Sequence, residues 1–117
     1  MPKKFIRSFS YARQGTAYVL RTQRNIWIHI FIGLLVLAAA LWMEVARSEM
    51  MILILTISLV IVTEMLNTAI EEVVNLAKPE HHPLAALAKN VAAGAVLVAS
   101  LGAVLIGVLI FAQRFLI

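Results

Sequence analysis

Residues 91–111 read VAAGAVLVASLGAVLIGVLIF, an apolar run without a single charged side chain. At a rise of about 1.5 Å per residue, a helix of this length crosses the roughly 30 Å hydrocarbon core of a bilayer. Two further apolar runs, 26–43 and 50–63, lie earlier in the chain. The sequence therefore predicts transmembrane helices at about 26–43, 50–77 and 88–112, of which the second is long enough to protrude beyond the hydrocarbon.

The composition agrees with this pattern. Of the 117 residues, 62% are hydrophobic and only 14% are charged, which excludes an ordinary soluble domain. We expect an all-α integral membrane protein that forms one domain over residues 1–117. The absence of cysteine excludes disulfide bonds and thiolate metal ligands. A cleaved signal peptide is a poor interpretation of the first run, because a long basic segment precedes it and no small-residue cleavage site follows.

The N-terminal segment, residues 1–24, contains no acid and six basic residues, namely Lys3, Lys4, Arg7, Arg13, Arg21 and Arg24. By the positive-inside rule, we expect a multi-pass protein of the bacterial cytoplasmic membrane with its N-terminus in the cytoplasm. Apolar residues at helical spacing in this segment predict an amphipathic helix on the membrane surface. Anionic lipid headgroups are its expected partner, and nucleic acid is not.

Four polar residues share one narrow face of the second predicted span. Glu64, Asn67, Glu71 and Asn75 lie at offsets that a 3.6-residue helix brings into one stripe. An ionisable group in hydrocarbon costs a few kcal/mol unless it is paired or faces a polar cavity. One alternative is that these residues only bond neighbouring helices. We favour a functional site, because a packing interface needs no acids.

Lys89 and Asn90 are predicted to open the third span on the same membrane side as Glu71. A helix start presents free N–H groups and a positive dipole end, and Lys89 adds a charge, so an anion could be held there. The alternative for Lys89 is ordinary snorkelling to the membrane interface. Acids facing a cation suggest a site for a metal-bound phosphate. The small residues of this span predict close packing against other helices.

Two blocks carry a resemblance to a known family. The run EMLNTAIE at 64–71 and the run HPLAALAKNVAAGAVL at 82–97 resemble signature blocks of the prokaryotic diacylglycerol kinase and undecaprenol kinase family. The resemblance covers nearly the whole chain. It implies a homotrimeric helical bundle with composite active sites, each transferring the γ-phosphate of ATP to a lipid hydroxyl. The lipid alcohol, ATP and the bilayer are then the partners, and Mg²⁺ is the cofactor.

The resemblance also implies roles for individual residues. Glu64 matches the proposed general base, and Asn67 matches a residue of the same site. Glu71 matches a metal-binding glutamate, and Lys89 matches a lysine that contacts the nucleotide phosphates. Phosphoryl transfer depends mostly on such positioning and charge stabilisation.

Three positions depart from the family pattern. Gln23 stands where many members have a second metal-binding glutamate, and Asn75 and Asn90 stand where aspartate is usual near the nucleotide. Each trades a charge for a neutral amide of similar shape, so geometry can survive while metal and ATP affinity fall. Because Mg²⁺ is often held by one or two carboxylates plus substrate phosphates, Glu71 alone could suffice.

These departures leave other functions open. One is a catalytically weak or silent family member that acts as a membrane assembly protein, and another is a small ion-coupled membrane protein. We favour a lipid kinase, with undecaprenol preferred to diacylglycerol because blocks 82–84 and 92–97 look more like the undecaprenol branch. His29 is interpreted as a packed polar residue facing Gln23 or Asn25, and His81 and His82 as loop residues without a metal.

Overall fold

The computed structural model describes residues 2–116, which are helical throughout apart from short connections. Four helices follow one another, α1 at Pro2–Thr22, α2 at Arg24–Trp42, α3 at Arg47–Ala77 and α4 at Pro83–Phe115. The last three are long and apolar enough to cross a membrane. The predicted all-α architecture with three candidate spans is therefore confirmed.

Helix α1 takes up the basic N-terminal segment and ends at a break in the helical backbone. Gln23 adopts an extended conformation between α1 and α2. The Trp27 indole N–H donates to the Leu20 carbonyl at 2.5 Å, which ties the two helices across the break. Val19 is buried, whereas Phe5 and other apolar residues of α1 are exposed. The location of this helix on a membrane surface stays a prediction.

Helix α4 begins earlier than the sequence indicated. Pro83 occupies its first turn, where a missing N–H costs nothing, and His82 accepts a hydrogen bond from the Leu84 N–H through Nδ1 at 3.1 Å. Lys89 therefore lies in the second turn of α4. The expectation that Lys89 and Asn90 sit at a helix start is wrong, because the prolyl ring preorganises the helix at residue 83.

The turn between α2 and α3, residues 43–46, lies at one end of the bundle. Glu44 there has a positive φ of 53°. Glu49 accepts a hydrogen bond from the Ala46 N–H at 3.0 Å and pairs with Arg114 of α4 at 3.1 Å. Nearby, Ala40, Leu53 and Ile110 form the buried apolar cluster. We call this region the core end.

Helix α3 is the central element, because it contacts each of the other helices. It packs tightly against α2 at Gly33, where an added Cβ would lie 2.8 Å from the Ile57 Cγ2 atom. A larger residue at 33 would have to displace that side chain. In contrast, added Cβ atoms at Gly94, Gly102 and Gly107 of α4 would meet nothing within 4 Å. The close packing predicted for those α4 glycines is therefore not made inside one chain.

One chain leaves most of its apolar surface uncovered. Its smallest principal extent is only 22 Å, and large apolar side chains are exposed along all three candidate spans. In a membrane this surface faces acyl chains or other subunits.

Candidate active site

The polar stripe of α3 becomes more exposed as it approaches the C-terminus of that helix. Glu64 is only 4% exposed. Asn67 and Glu71 are half-buried, and Asn75 is exposed. The stripe spans about 16 Å from Glu64 to Asn75 at helical rise. One face of α3 therefore runs from a buried carboxylate inside the bundle to exposed positions near the C-terminal end of that helix.

The buried carboxylate of Glu64 faces a histidine of α2. His29 Nε2 lies 3.6 Å from Glu64 Oε2, and the two side chains are 24% and 5% exposed. The expectation that His29 faces Gln23 or Asn25 missed this contact. Its only sequence signal was a titratable residue inside an apolar span, which is expensive unless it has a partner. Which partner it has depends on how α2 crosses α3.

Asn67 and Glu71 are joined directly. The Asn67 Nδ2 group donates to Glu71 Oε1 at 3.1 Å, one helical turn further on. The Asn67 Oδ1 atom is buried and has no hydrogen-bond partner within residues 2–116. Buried polar atoms are almost always paired, so an orphaned acceptor beside a carboxylate is a feature to explain. Both oxygens are hard donors of the kind Mg²⁺ prefers.

The other predicted site residues lie outside this pair of contacts. Gln23, at the α1–α2 break, directs its amide to the Thr22 hydroxyl at 3.4 Å. Lys89 is half-buried and Asn90 is exposed on α4. Within residues 2–116, no described hydrogen bond or ion pair joins Gln23, Lys89, Asn75 or Asn90 to Glu64 or Glu71. No cluster of three or more His, Asp or Glu in that range could hold a metal.

Helix α1 is attached to α3 beside the stripe. The Tyr18 hydroxyl donates to Glu72 Oε1 at 3.1 Å. This hydrogen bond, together with the negative charge of Glu72, raises the pKa of Tyr18 above its ordinary value of 10.0. Glu72 lies next to Glu71 in the chain but serves this contact between helices. It is thus one of the residues that hold the α1–α2 break near α3.

An apolar cavity of about 510 Å³ lies among α2, α3 and α4. Its lining includes Gly33, Ile57, Val60, Ser100, Val108 and Phe111, and His29 also lines it. A cavity of this size and polarity suits an apolar chain. The histidine that faces Glu64 therefore also borders this apolar cavity.

The sequence profile of the family described as prokaryotic diacylglycerol kinase matches residues 10–111. A diacylglycerol kinase of Synechocystis sp. is 46% identical over 101 residues, covering 86% of this chain and 58% of that protein. The chain thus spans less than two thirds of the length of that relative.

Two further relatives were found. An undecaprenol kinase of Bacillus subtilis is 42% identical over 111 residues, which cover 95% of this chain and 90% of that protein. A diacylglycerol kinase of Escherichia coli is 39% identical over 72 residues, 62% of this chain and 59% of that protein. Because the family profile covers most of the chain, including the polar stripe of α3, the chain belongs to the prokaryotic diacylglycerol kinase family.

Proposed function

We propose that this chain transfers the γ-phosphate of ATP to the hydroxyl of a membrane lipid alcohol, with Glu64 as the general base. The class of the enzyme, a membrane lipid kinase, follows from its family. One observation supports the assignment of the base. Glu64 is a buried carboxylate on a helix long and apolar enough to cross a membrane, and its face of that helix leads to exposed positions near the C-terminal end of α3.

The proposed reaction moves one proton and one phosphoryl group. A Glu64 carboxylate oxygen takes the proton of the lipid O–H group, and the hydroxyl oxygen forms a bond to the γ-phosphorus. The bond between that phosphorus and the β,γ-bridging oxygen breaks, and ADP leaves with the electron pair. A base at membrane depth meets a lipid hydroxyl, whereas the phosphates approach from the water side. The Asn67 amide, which donates to Glu71, acts as a positioning group between the two.

Glu71 and Gln23 are proposed to hold Mg²⁺ together with the ATP phosphates. When bound, this ion neutralises charge on the transferring phosphoryl group. These residues suit Mg²⁺ because they offer oxygen ligands. The Glu71 carboxylate is half-buried, and the Asn67 amide that donates to it has an Oδ1 atom without a hydrogen-bond partner within residues 2–116. Lys89 would contact the nucleotide phosphates, and Asn75 and Asn90 would lie at the nucleotide. Asn75 and Asn90 are exposed, which agrees with a ligand that enters from water.

A homotrimer with composite sites is part of the proposal. One chain leaves its α4 glycines without close neighbours and leaves Lys89 without a described partner in residues 2–116. A second subunit would supply both. We further propose that residues 1–117 form one domain in the bacterial cytoplasmic membrane. Its basic N-terminal helix would lie on the cytoplasmic face, because positive charge favours that side.

The preferred lipid is proposed to be undecaprenol, with diacylglycerol as the second candidate. The relative named undecaprenol kinase aligns over 90% of its own length, which supports the first choice. The relative named diacylglycerol kinase is slightly more identical, at 46%, which keeps the second candidate open. Glu64 chemistry does not distinguish them, because both present a primary alcohol on a long apolar body. Discrimination falls to the groove that holds the chain.

Competition between the two lipids tests this proposal. Purified protein receives radiolabelled ATP, Mg²⁺ and equal mole fractions of undecaprenol and diacylglycerol in mixed micelles, with Glu64→Gln protein as the matched blank. The product ratio gives the ratio of kcat/KM values. We expect phosphorylated undecaprenol to dominate. A tenfold excess of phosphatidate, about 1.4 kcal/mol, would overturn the lipid assignment alone. No product above the blank with either lipid would favour a silent assembly protein or an ion-coupled protein instead.

A further inference from the structure

The contact between His29 and Glu64 differs from the other ion pairs of the chain. Lys78 and Glu80 pair in an exposed connection, and Arg114 with Glu49 closes the core end. The His29–Glu64 pair lies between two candidate spans, with the glutamate side chain only 5% exposed. It is the most buried of the three pairs described in residues 2–116.

The backbone fixes where His29 can lie. Gly33 follows His29 by one turn on α2, and its backbone lies so close to Ile57 of α3 that an added Cβ would meet that side chain. Because α2 and α3 run in opposite directions, moving from Gly33 to His29 along α2 corresponds to moving from Ile57 toward Glu64 along α3. The glycine contact therefore sets the crossing that places the imidazole opposite the carboxylate.

The physical need for a partner at Glu64 is clear. A carboxylate inside hydrocarbon is costly unless a cation or donor compensates it. The Nε2 to Oε2 separation of 3.6 Å is longer than a hydrogen bond, so the contact leaves room to tighten when substrate binds. Because His29 faces Oε2, the other carboxylate oxygen is the one we assign to the lipid hydroxyl.

His29 also borders the apolar cavity that contains Val60 and Val108 in its wall. One imidazole therefore faces both the carboxylate and a space that suits the apolar part of a lipid. A residue with these two neighbours can control how the carboxylate is aimed at a hydroxyl carried by that lipid. Thr56 lines the same cavity, but its hydroxyl donates to the Ile52 carbonyl of its own helix at 2.6 Å.

We propose that His29 is a positioning residue for phosphotransfer, which keeps the Glu64 carboxyl group aimed at the lipid hydroxyl. This inference rests on the proposed function of Glu64 as general base. The competing view is that His29 only stabilises the fold by compensating a buried acid. The two views differ in one respect. A positioning role predicts a loss of kcat in protein that is fully folded, and a structural role predicts a loss of folded protein at unchanged kcat.

The test uses His29→Ala and His29→Gln in the full-length protein. The control is Thr16→Val, at an exposed position of α1 whose hydroxyl donates to the Ala12 carbonyl of its own helix. Initial rates are measured with radiolabelled ATP and lipid in mixed micelles, with folded protein quantified by size-exclusion chromatography. His29→Ala should lower kcat by about tenfold or more while KM for ATP changes by less than about twofold. Imidazole added to the buffer should restore much of that loss. Thr16→Val should leave kcat near the wild-type value.

His29→Gln keeps an N–H donor but carries no charge, so its kcat should fall by about threefold or more, less than in His29→Ala. This variant decides the case if His29→Ala does not fold. Wild-type kcat in His29→Gln, or a His29→Ala loss that imidazole does not restore, would overturn the inference. Glu64→Gln is assayed alongside. Full activity in Glu64→Gln would refute the proposed base itself, whereas an inactive Glu64→Gln with unaffected His29 variants would refute only the role of His29.

Discussion

The two ends of the helical bundle are built on opposite principles. At the core end, Ala40 and Leu53 are almost completely buried among apolar side chains, and the Glu49–Arg114 pair closes α3 against α4. At the site end, which we define by His29, Glu64, Asn67 and Glu71, polar groups are buried as well as apolar ones. One end is satisfied by its own contacts. The other contains an acid that depends on a histidine and an amide oxygen that has no partner.

This difference teaches where the chain trades stability for chemistry. Apolar packing at the core end needs no ligand, and its residues can be optimised for fit. Buried acids and orphaned acceptors cost stability, and they persist where a substrate or ion completes them. We therefore expect substitutions at the two ends to have opposite signatures, one in folding and the other in turnover.

The largest effect is expected at Glu64. Glu64→Gln keeps the shape of the side chain but cannot accept a proton, so phosphotransfer should fall by about 10²–10⁴-fold, the usual contribution of a general base. The melting temperature should stay equal or rise, because a neutral amide is cheaper to bury. Radiolabel transfer and thermal melts in the same detergent measure both. Glu72→Gln on the same helix is the control, and comparable losses in both variants would contradict the assignment.

The converse experiment addresses the core end. Ala40 is 0% exposed, so Ala40→Leu forces extra volume into a filled space and should destabilise the protein by about 1–3 kcal/mol. Turnover per folded molecule should remain unchanged. Ala38→Leu, at an exposed position of the same helix, is the matched control. A lower kcat in folded Ala40→Leu protein would show that the two ends are coupled.

A smaller effect is expected at the metal side of the site. Gln23→Glu places a carboxylate at a position proposed to hold Mg²⁺, so the Mg²⁺ concentration for half-maximal activity should fall by roughly tenfold, about 1.4 kcal/mol. Mg²⁺ titrations at saturating lipid measure this. Gln14→Glu adds the same charge to an exposed position of α1 and should change little. If both variants respond alike, residue 23 lies outside the metal site.

Glu64 and His29 show how much of the candidate site could be predicted from the sequence. Glu64 was predictable, because an acid in a stripe with Asn67 and Glu71 is visible from helical spacing alone. The contact with His29 was not predictable, because His29 and Glu64 lie on different helices. They meet because of how α2 packs against α3 near Gly33. The start of α4 was misplaced for a local reason, the proline at its first position.

The smallest effect concerns the attachment of α1. Because the hydrogen bond to Glu72 keeps the pKa of Tyr18 above 10.0, the phenol holds its proton more tightly in the folded protein. The contact therefore contributes fully below pH 10 and is lost as pH rises through the raised pKa. Tyr18→Phe should reduce activity by about twofold or less, as befits an exposed contact. The difference in tyrosinate absorbance between wild type and Tyr18→Phe reports the pKa. Tyr11→Phe is the control for the effect on activity. A Tyr18 pKa at its ordinary value would contradict the contact.

The sequence by itself determined the number of spans, the helical class and the polar face of α3. These features depend on properties local to one helix, its length, its hydropathy and its 3.6-residue period. The tertiary structure decided which residues of different helices meet, as in His29 with Glu64, Tyr18 with Glu72 and Glu49 with Arg114. Such pairs depend on crossing points and rotations between helices, which small residues such as Gly33 set and which periodicity within one helix does not encode.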